Sequence, residues 1–242
     1  MPRGANRAER QIRKNIKREL AKGKPERTES PADALLHILA AITCIMLPIA
    51  LVAIVSGVVF RVPDFMTLEI SRSEILTQME IKMRPDDITA DIFNFINHKN
   101  EMLTSGIFPA VDEANLERIR GLLDKILIPS VSAFILSVSF CIILRAAGRQ
   151  RYLKTALKGS IIIYICAVLF VISLALFWPF RHLVFSWQPG IEYVPGSVLL
   201  KLMGGFYPLI SASAIVLISF IIYIALYSVL LKLTVEEEKI FK

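Results

Sequence analysis

A chain of 242 residues that is 55% hydrophobic and only 20% charged is not composed like a soluble domain. Its apolar residues gather into four runs without Asp, Glu, Lys or Arg, at residues 35–59, 126–144, 160–180 and 206–231. As helices these runs reach roughly 28 to 39 Å, against a hydrocarbon core of about 30 Å. That excludes a soluble enzyme, a collagen-like or disordered chain and a small disulfide scaffold, and it makes the net charge of +7 a matter of membrane topology rather than of nucleic-acid binding.

Residues 1–33 form a basic tail, with ten Lys/Arg against five acids, expected in the cytoplasm. Within it Ala8, Ile12, Ile16 and Leu20 stand four apart among Arg10, Arg13, Lys14, Lys17 and Arg18, a thin stripe that suits either an anionic inner leaflet or a solvated tail. The first span, residues 35–59, is too long for a signal-peptide core and has no small-residue cleavage pattern after it, so it reads as a retained anchor.

Residues 61–125 carry eight basic residues and twelve acids, so they are expected outside the membrane as a small helical extracytoplasmic domain. Ser71 with Glu74 has the form of a capping box ahead of Ile75, Leu76, Met79 and Ile81. Pro85, Asp86 and Asp87 open a helix whose apolar face is Ile88, Ile92, Phe93, Phe95 and Ile96, and Asn97, His98, Lys99 and Asn100 stop it. Ser105, Gly106 and Pro109 make a loop. After Asp112 the stripe Leu116, Ile119, Leu122 and Leu123 runs by helix into the second span, residues 126–144, which contains Pro129.

The loop at 145–158 holds Arg145, Arg149, Arg151, Lys154 and Lys158 with no acid and is expected in the cytoplasm. The third span, 160–180, leads to an extracytoplasmic loop, 181–205, rich in Trp, Phe, Tyr, Pro and Gly, as at a membrane–water interface. There Ser197 is placed to cap a short turn through Val198, Leu199, Leu200 and Leu202, ended by Gly204 and Gly205, in a stretch that can be re-entrant. The fourth span, 206–231, returns the tail 232–242 to the cytoplasm. The fold class is thus all-α: an integral protein with four transmembrane helices, both termini cytoplasmic, and a helical domain between the first two spans. Cys44, Cys141 and Cys166 all fall inside spans, which leaves no thiol for an external disulfide.

No metal-ligand spacing, nucleotide loop or nucleophile elbow is present, so no metal and no cofactor is expected, and the spans hold no charged side chain to relay ions. Chemistry is left to His37, His98 and His182. His37 reads as a packed residue near the headgroups and His98 as a helix-end residue. His182, beside Arg181 at the outer end of the third span, lies at the depth of lipid glycerol, where an imidazole can take a proton and a guanidinium can hold a phosphate or oxyanion. An interfacial role without chemistry is the other reading of the pair.

Three features together, namely 63–65 with 68–70, the acidic amphipathic domain running into the second span, and Phe180 to Phe185 with Trp187, resemble a family of four-span bacterial integral membrane proteins that includes a lipoprotein intramolecular transacylase. The resemblance implies a bacterial plasma membrane and an acyl chain moved to an N-terminal cysteine amine. Similar proteins carry a histidine before the second span, in a pattern like Glu-x-x-His-Leu-x-Asp-Val. Here residues 112–119 match, with Asn115 at the histidine position and Arg118 at the aspartate. A second family histidine follows a Phe after the third span, and His182 stands one residue out of step with it, behind Arg181.

Two functions stay open. One is a non-catalytic or divergent protein of transacylase-like build that binds lipid, lipoprotein or a partner subunit at the outer membrane face. The other is an intramolecular acyltransferase with His182 as the base, Arg181 on the phosphate or oxyanion, and Phe185, Trp187 and Tyr193 along an acyl-binding groove. Membrane lipids and lipoproteins are the expected partners; nucleic acid is not. The sequence does not specify an oligomeric state.

Overall fold

The computed structural model describes residues 31–72, 76, 80–148, 150–177, 197–199 and 206–240. Among the described residues the chain is entirely helical: α1 (Pro31–Val59), α2 (Asp64–Arg72), α3 (Pro85–Ile96), α4 (Ala110–Ala146), α5 (Gln150–Leu176) and α6 (Tyr207–Ile240). Four of these, α1, α4, α5 and α6, are long and apolar enough to cross a membrane. The chain divides into two compact units, residues 1–38 and 39–242. In the first, only the opening turns of α1 are described, with His37 exposed there.

α4 explains how a membrane span and a polar domain share one helix. Its 37 residues make a rod of about 55 Å, far longer than the hydrocarbon core, so its polar first turns stand clear of the apolar part. The helix passes through Pro129 without interruption, as α1 passes through Pro48. The basic residues Arg145, Arg151, Lys154 and Lys158 sit on the facing ends of α4 and α5 rather than on a long loop.

The bundle core joins Leu51, Val52, Val55 and Val59 of α1 to Tyr164 of α5 and Ile215 and Tyr223 of α6. Apolar packing alone distinguishes poorly between helix partners in lipid, so the polar contacts matter for register. Tyr164 and Tyr223 stack with centroids 4.3 Å apart and planes within 5°. The Tyr223 hydroxyl lies 2.7 Å from the Ser160 hydroxyl, and that of Tyr164 lies 3.0 Å from Ser219. Gly159 lets α5 approach α1, since a Cβ there would lie 2.6 Å from the Cys44 sulfur. Cys44, Cys141 and Cys166 are all free thiols within these helices.

Between the first two spans, α2, α3 and the start of α4 enclose a separate core. Met66 and Ile70 of α2 meet Ile88, Ile92, Phe93, Phe95 and Ile96 of α3, Leu116 and Leu123 of α4, and Val198, Leu199 and Tyr207. The face expected of α3 is the face it buries, and Pro85 with two aspartates begins the helix as read from the sequence. Ser71 lies in the last turn of α2, which begins at Asp64 behind the carbonyl of Pro63, while Glu74, Ile75 and Met79 of the capping-box reading lie outside the described residues. Val198 and Leu199, in the stretch read as re-entrant, are buried in this inter-span core.

The loop from α3 to α4 is tied to α3 by Asp91. Its carboxylate accepts the Thr104 amide at 2.9 and 3.1 Å, the Thr104 hydroxyl at 2.8 Å and the Ser105 amide at 2.9 Å. Burial pushes the Asp91 carboxyl up, but the hydrogen bonds from Thr104 and Ser105 together outweigh it and hold the group below the ordinary carboxylate value.

Candidate functional site

Of the residues singled out in the sequence, Arg181, His182, Phe185, Trp187 and Tyr193 lie outside the described residues. Asn115 is described: it is buried on α4, one turn after Asp112. The two share a polar centre where the inter-span domain meets the approach to α6.

Asp112 is wholly buried, and its carboxylate is engaged by the 197–199 segment. Oδ1 accepts the hydroxyl of Ser197, while Oδ2 accepts the amides of Val198 at 2.9 Å and Leu199 at 3.2 Å. Those amides begin a helical turn and have no partner within it, so a carboxylate from another element satisfies them and meets the positive end of the turn. The Ser197 hydroxyl donates to Asp112, and the same carboxylate accepts the first two amides of the turn. A second buried acid, Glu69 of α2, accepts the Phe206 amide at 2.8 Å. Two carboxylates of the inter-span domain thus hold both described ends of the connection from 197 to 206.

This geometry limits the chemistry of the centre. A general base needs an open lone pair within reach of the proton it takes. Asp112 has committed both oxygens to three donors and has no exposed surface. Asn115 is a carboxamide with no basic nitrogen. Position 115 is therefore a packed polar joint and not an acid–base centre.

A second polar cluster lies at the mouths of the first two spans, where the sequence reading saw only a helix end. His98 Nε2 is 2.8 Å from Asp124 Oδ2, and Asp124 Oδ1 accepts the guanidinium of Arg61. Arg61 follows α1, Asp124 is on α4, and the Arg61 carbonyl accepts the Asn97 amide nitrogen at 3.3 Å. His98 also closes α3. The Lys99 amide donates back to Asn94 at 2.8 Å, and His98 adopts φ +57°, the left-handed conformation that glycine usually supplies there. A residue with a Cβ costs about 1–2 kcal/mol in that conformation, while an ion pair as open as His98–Asp124, with side-chain exposures of 56% and 36%, contributes about 0–1 kcal/mol. Arg120 lies 4.3 Å over the Phe95 ring beside this cluster. Among the described residues no three His, Cys, Asp or Glu side chains converge as metal ligands.

The sequence reading missed Asp112, Glu69 and Asp124. Their only visible mark was that each follows an apolar residue in a helical stripe, Glu69 after Leu68, Asp112 after Val111 and Asp124 after Leu123.

The architecture defines a class: a four-span helical membrane protein whose first two spans are separated by a helical domain that grips the approach to the fourth. Solved structures of one such protein, the membrane integral lipoprotein intramolecular transacylase Lit from Bacillus cereus, share this chain's fold. A form with one histidine replaced by alanine superposes with a TM-score of 0.68 at 14% identity, over 85% of this chain and 96% of that one. A form with a histidine replaced by arginine gives 0.66 at 13% identity, over 86% and 96%. A third structure of the transacylase gives 0.64 at 12% identity, over 86% and 99%. Identity this low establishes the shared fold alone. No family model matches the sequence, and no curated protein matches it by sequence.

Proposed function

We propose that this chain is a divergent, transacylase-like membrane protein that binds an acylated amphiphile, a lipid or the lipid-modified end of a lipoprotein, at the outer membrane face. The observation that carries this reading is the polar joint at Asp112 and Asn115. In a fold that superposes over nearly the whole transacylase chain, the position that the sequence resemblance sets against a family histidine holds Asn115, a buried carboxamide one helical turn from the committed carboxylate of Asp112. A scaffold built to hold an acyl substrate is retained while that base is absent. In this reading residues 61–125 and 181–205 face outward, residues 1–33, 145–158 and 232–242 face the cytoplasm, and Phe185, Trp187 and Tyr193 line the acyl-binding surface with Arg181 on the headgroup.

The test is binding of a synthetic lipopeptide with two long-chain esters to the protein in nanodiscs, against the same peptide without acyl chains. The acylated form is expected to bind and the bare peptide not, with Trp187→Ala and Tyr193→Ala weakening binding several-fold. Equal binding of both peptides refutes acyl recognition. Orientation is checked with a membrane-impermeant thiol reagent on intact cells, which should label Met102→Cys and Gly190→Cys and spare Gln150→Cys.

A further inference from the structure

The turn from α4 to α5, at the end of the bundle away from the inter-span domain, is short and basic. α4 closes with the Ala147 amide on the Ile143 carbonyl and the Gly148 amide on the Arg145 carbonyl, both at 2.9 Å. Gly148 takes φ +66°, and α5 begins at Gln150. Residues 145–158 hold five basic residues and no acid. Setting topology requires only that such charges lie near the span ends, on any side of a helix. Here they are sorted.

At 3.6 residues per turn, Arg151, Lys154 and Lys158 share one face of the first turns of α5, away from the face that buries Leu153, Ala156, Leu157 and Ser160. Together with Gln150 and Thr155 they line a cavity of about 390 Å³. The Thr155 hydroxyl donates to the Arg151 carbonyl at 3.0 Å, so an anion in the cavity meets the cations and not that hydroxyl. Arg151, Lys154 and Lys158 thus offer a concave, acid-free wall to a phosphate.

The same face continues into the membrane as Ile161, Ile162, Ile165 and Leu169, all exposed. From Lys158 to Leu169 the helix rises about 16 Å, close to half of a hydrocarbon core of about 30 Å and so the depth of one leaflet. Cations stand at the mouth, and an apolar ledge one leaflet deep runs on below them. A soluble phosphate compound would use the cations and leave the ledge uncovered; a phospholipid of negative charge uses both.

From this we infer that this face of α5 binds one anionic glycerophospholipid, with its phosphate on Arg151, Lys154 and Lys158 and an acyl chain along Ile161, Ile165 and Leu169. In the orientation proposed above, the lipid belongs to the cytoplasmic leaflet. The site lies at the opposite end of the bundle from the acyl-binding surface of the preceding reading and stands independently of it.

The test uses the full chain in nanodiscs of equal phosphatidylglycerol and phosphatidylcholine with identical acyl chains, and native mass spectrometry of the released protein. Wild type is expected to retain one phosphatidylglycerol in preference to phosphatidylcholine. The triple variant Arg151→Gln, Lys154→Gln and Lys158→Gln should lose that preference by about 10- to 100-fold, at several-fold per cation. Lys158→Gln alone, at an exposed position, should lower it several-fold and covers the case in which the triple variant fails to fold. Lys82→Gln, Lys99→Gln and Lys125→Gln together remove the same charge from exposed positions elsewhere and should leave the preference unchanged. Excess glycerol 3-phosphate should not displace the lipid. Equal retention of the two lipids by wild type, a preference that survives both the triple and the Lys158→Gln substitutions, or an equal loss in the control overturns the site. Displacement by glycerol 3-phosphate overturns the lipid as its occupant and assigns the cavity to a soluble phosphate.

Discussion

Substituting Asp112 isolates the joint that ties the inter-span domain to the fourth span. In Asp112→Ala the amides of Val198 and Leu199 and the hydroxyl of Ser197 lose their acceptor inside a fully buried site. A buried donor left unsatisfied costs about 1–3 kcal/mol, and loss of a helix cap typically costs about 1 kcal/mol. The hydroxyl can turn to another partner but the two amides cannot, so the expected loss is about 3–5 kcal/mol. Asp112→Asn keeps one acceptor oxygen and is expected to lose about 1–2 kcal/mol. For a chain of this size each kcal/mol lowers the melting temperature by about 2–4 °C, which puts Asp112→Ala roughly 6–20 °C below wild type in detergent. A local readout separates detachment from general damage. Val198→Cys, at a buried position, should resist a polar maleimide in the parent and react quickly in the Asp112→Ala background. If Asp112→Ala melts within 2 °C of wild type and Val198→Cys stays protected, the carboxylate is not what holds the segment.

The inter-span core predicts that Ile88→Ala costs about 2–5 kcal/mol and Phe93→Ala about 3–5 kcal/mol, since both side chains are buried; thermal unfolding measures this. Gly159→Ala forces a methyl against Cys44 and should cost about 1–3 kcal/mol, with Cys44→Ala restoring much of the loss in the double variant. Asp91 predicts a pH dependence. Its folded pKa lies below the unfolded value of about 3.9, so its stabilising effect is complete above that pH and is lost as pH falls toward the lower folded value. Asp91→Asn should be less stable than wild type at pH 7, with the gap narrowing as the solution is acidified below about pH 4; an unchanged gap refutes the reasoning.

The spans and α3 were legible because each is specified by local pattern. Long uncharged runs leave the chain no way to satisfy its backbone in lipid except as helices, and the Pro85-Asp86-Asp87 start followed by an apolar stripe is consistent from propensity to packing. α2 was missed because its sequence, DFMTLEISR, is short and of mixed polarity. What holds α2 in place is contact with partners distant in sequence: Thr67 against Thr89 at 2.8 Å, and Glu69 on the amide of Phe206. A helix stabilised mainly by tertiary packing leaves little of itself in its own residues.

The site was less legible for a related reason. An acid's role depends on which donors reach it, and the donors to Asp112 come from residues 197–199, more than 80 positions away. In sequence Asp112 was indistinguishable from Glu113, its neighbour in the first turn of α4, although Asp112 is buried and Glu113 is partly exposed. The same holds for His98. A histidine among Asn97, Lys99 and Asn100 reads as helix punctuation, and it is punctuation; only the fold adds that Asp124 and Arg61 arrive from two other elements to orient the ring. His182 stands out in the sequence because an imidazole follows an arginine in consecutive positions, a pairing visible in one dimension. The pairing at His98 is made across 26 residues to Asp124 and a further 63 to Arg61, so only folding creates it. In a chain whose apolar runs carry no Asp, Glu, Lys or Arg, charged side chains are confined to the span mouths and the segments between them. There the connecting segments, and not the helices themselves, decide which charges meet.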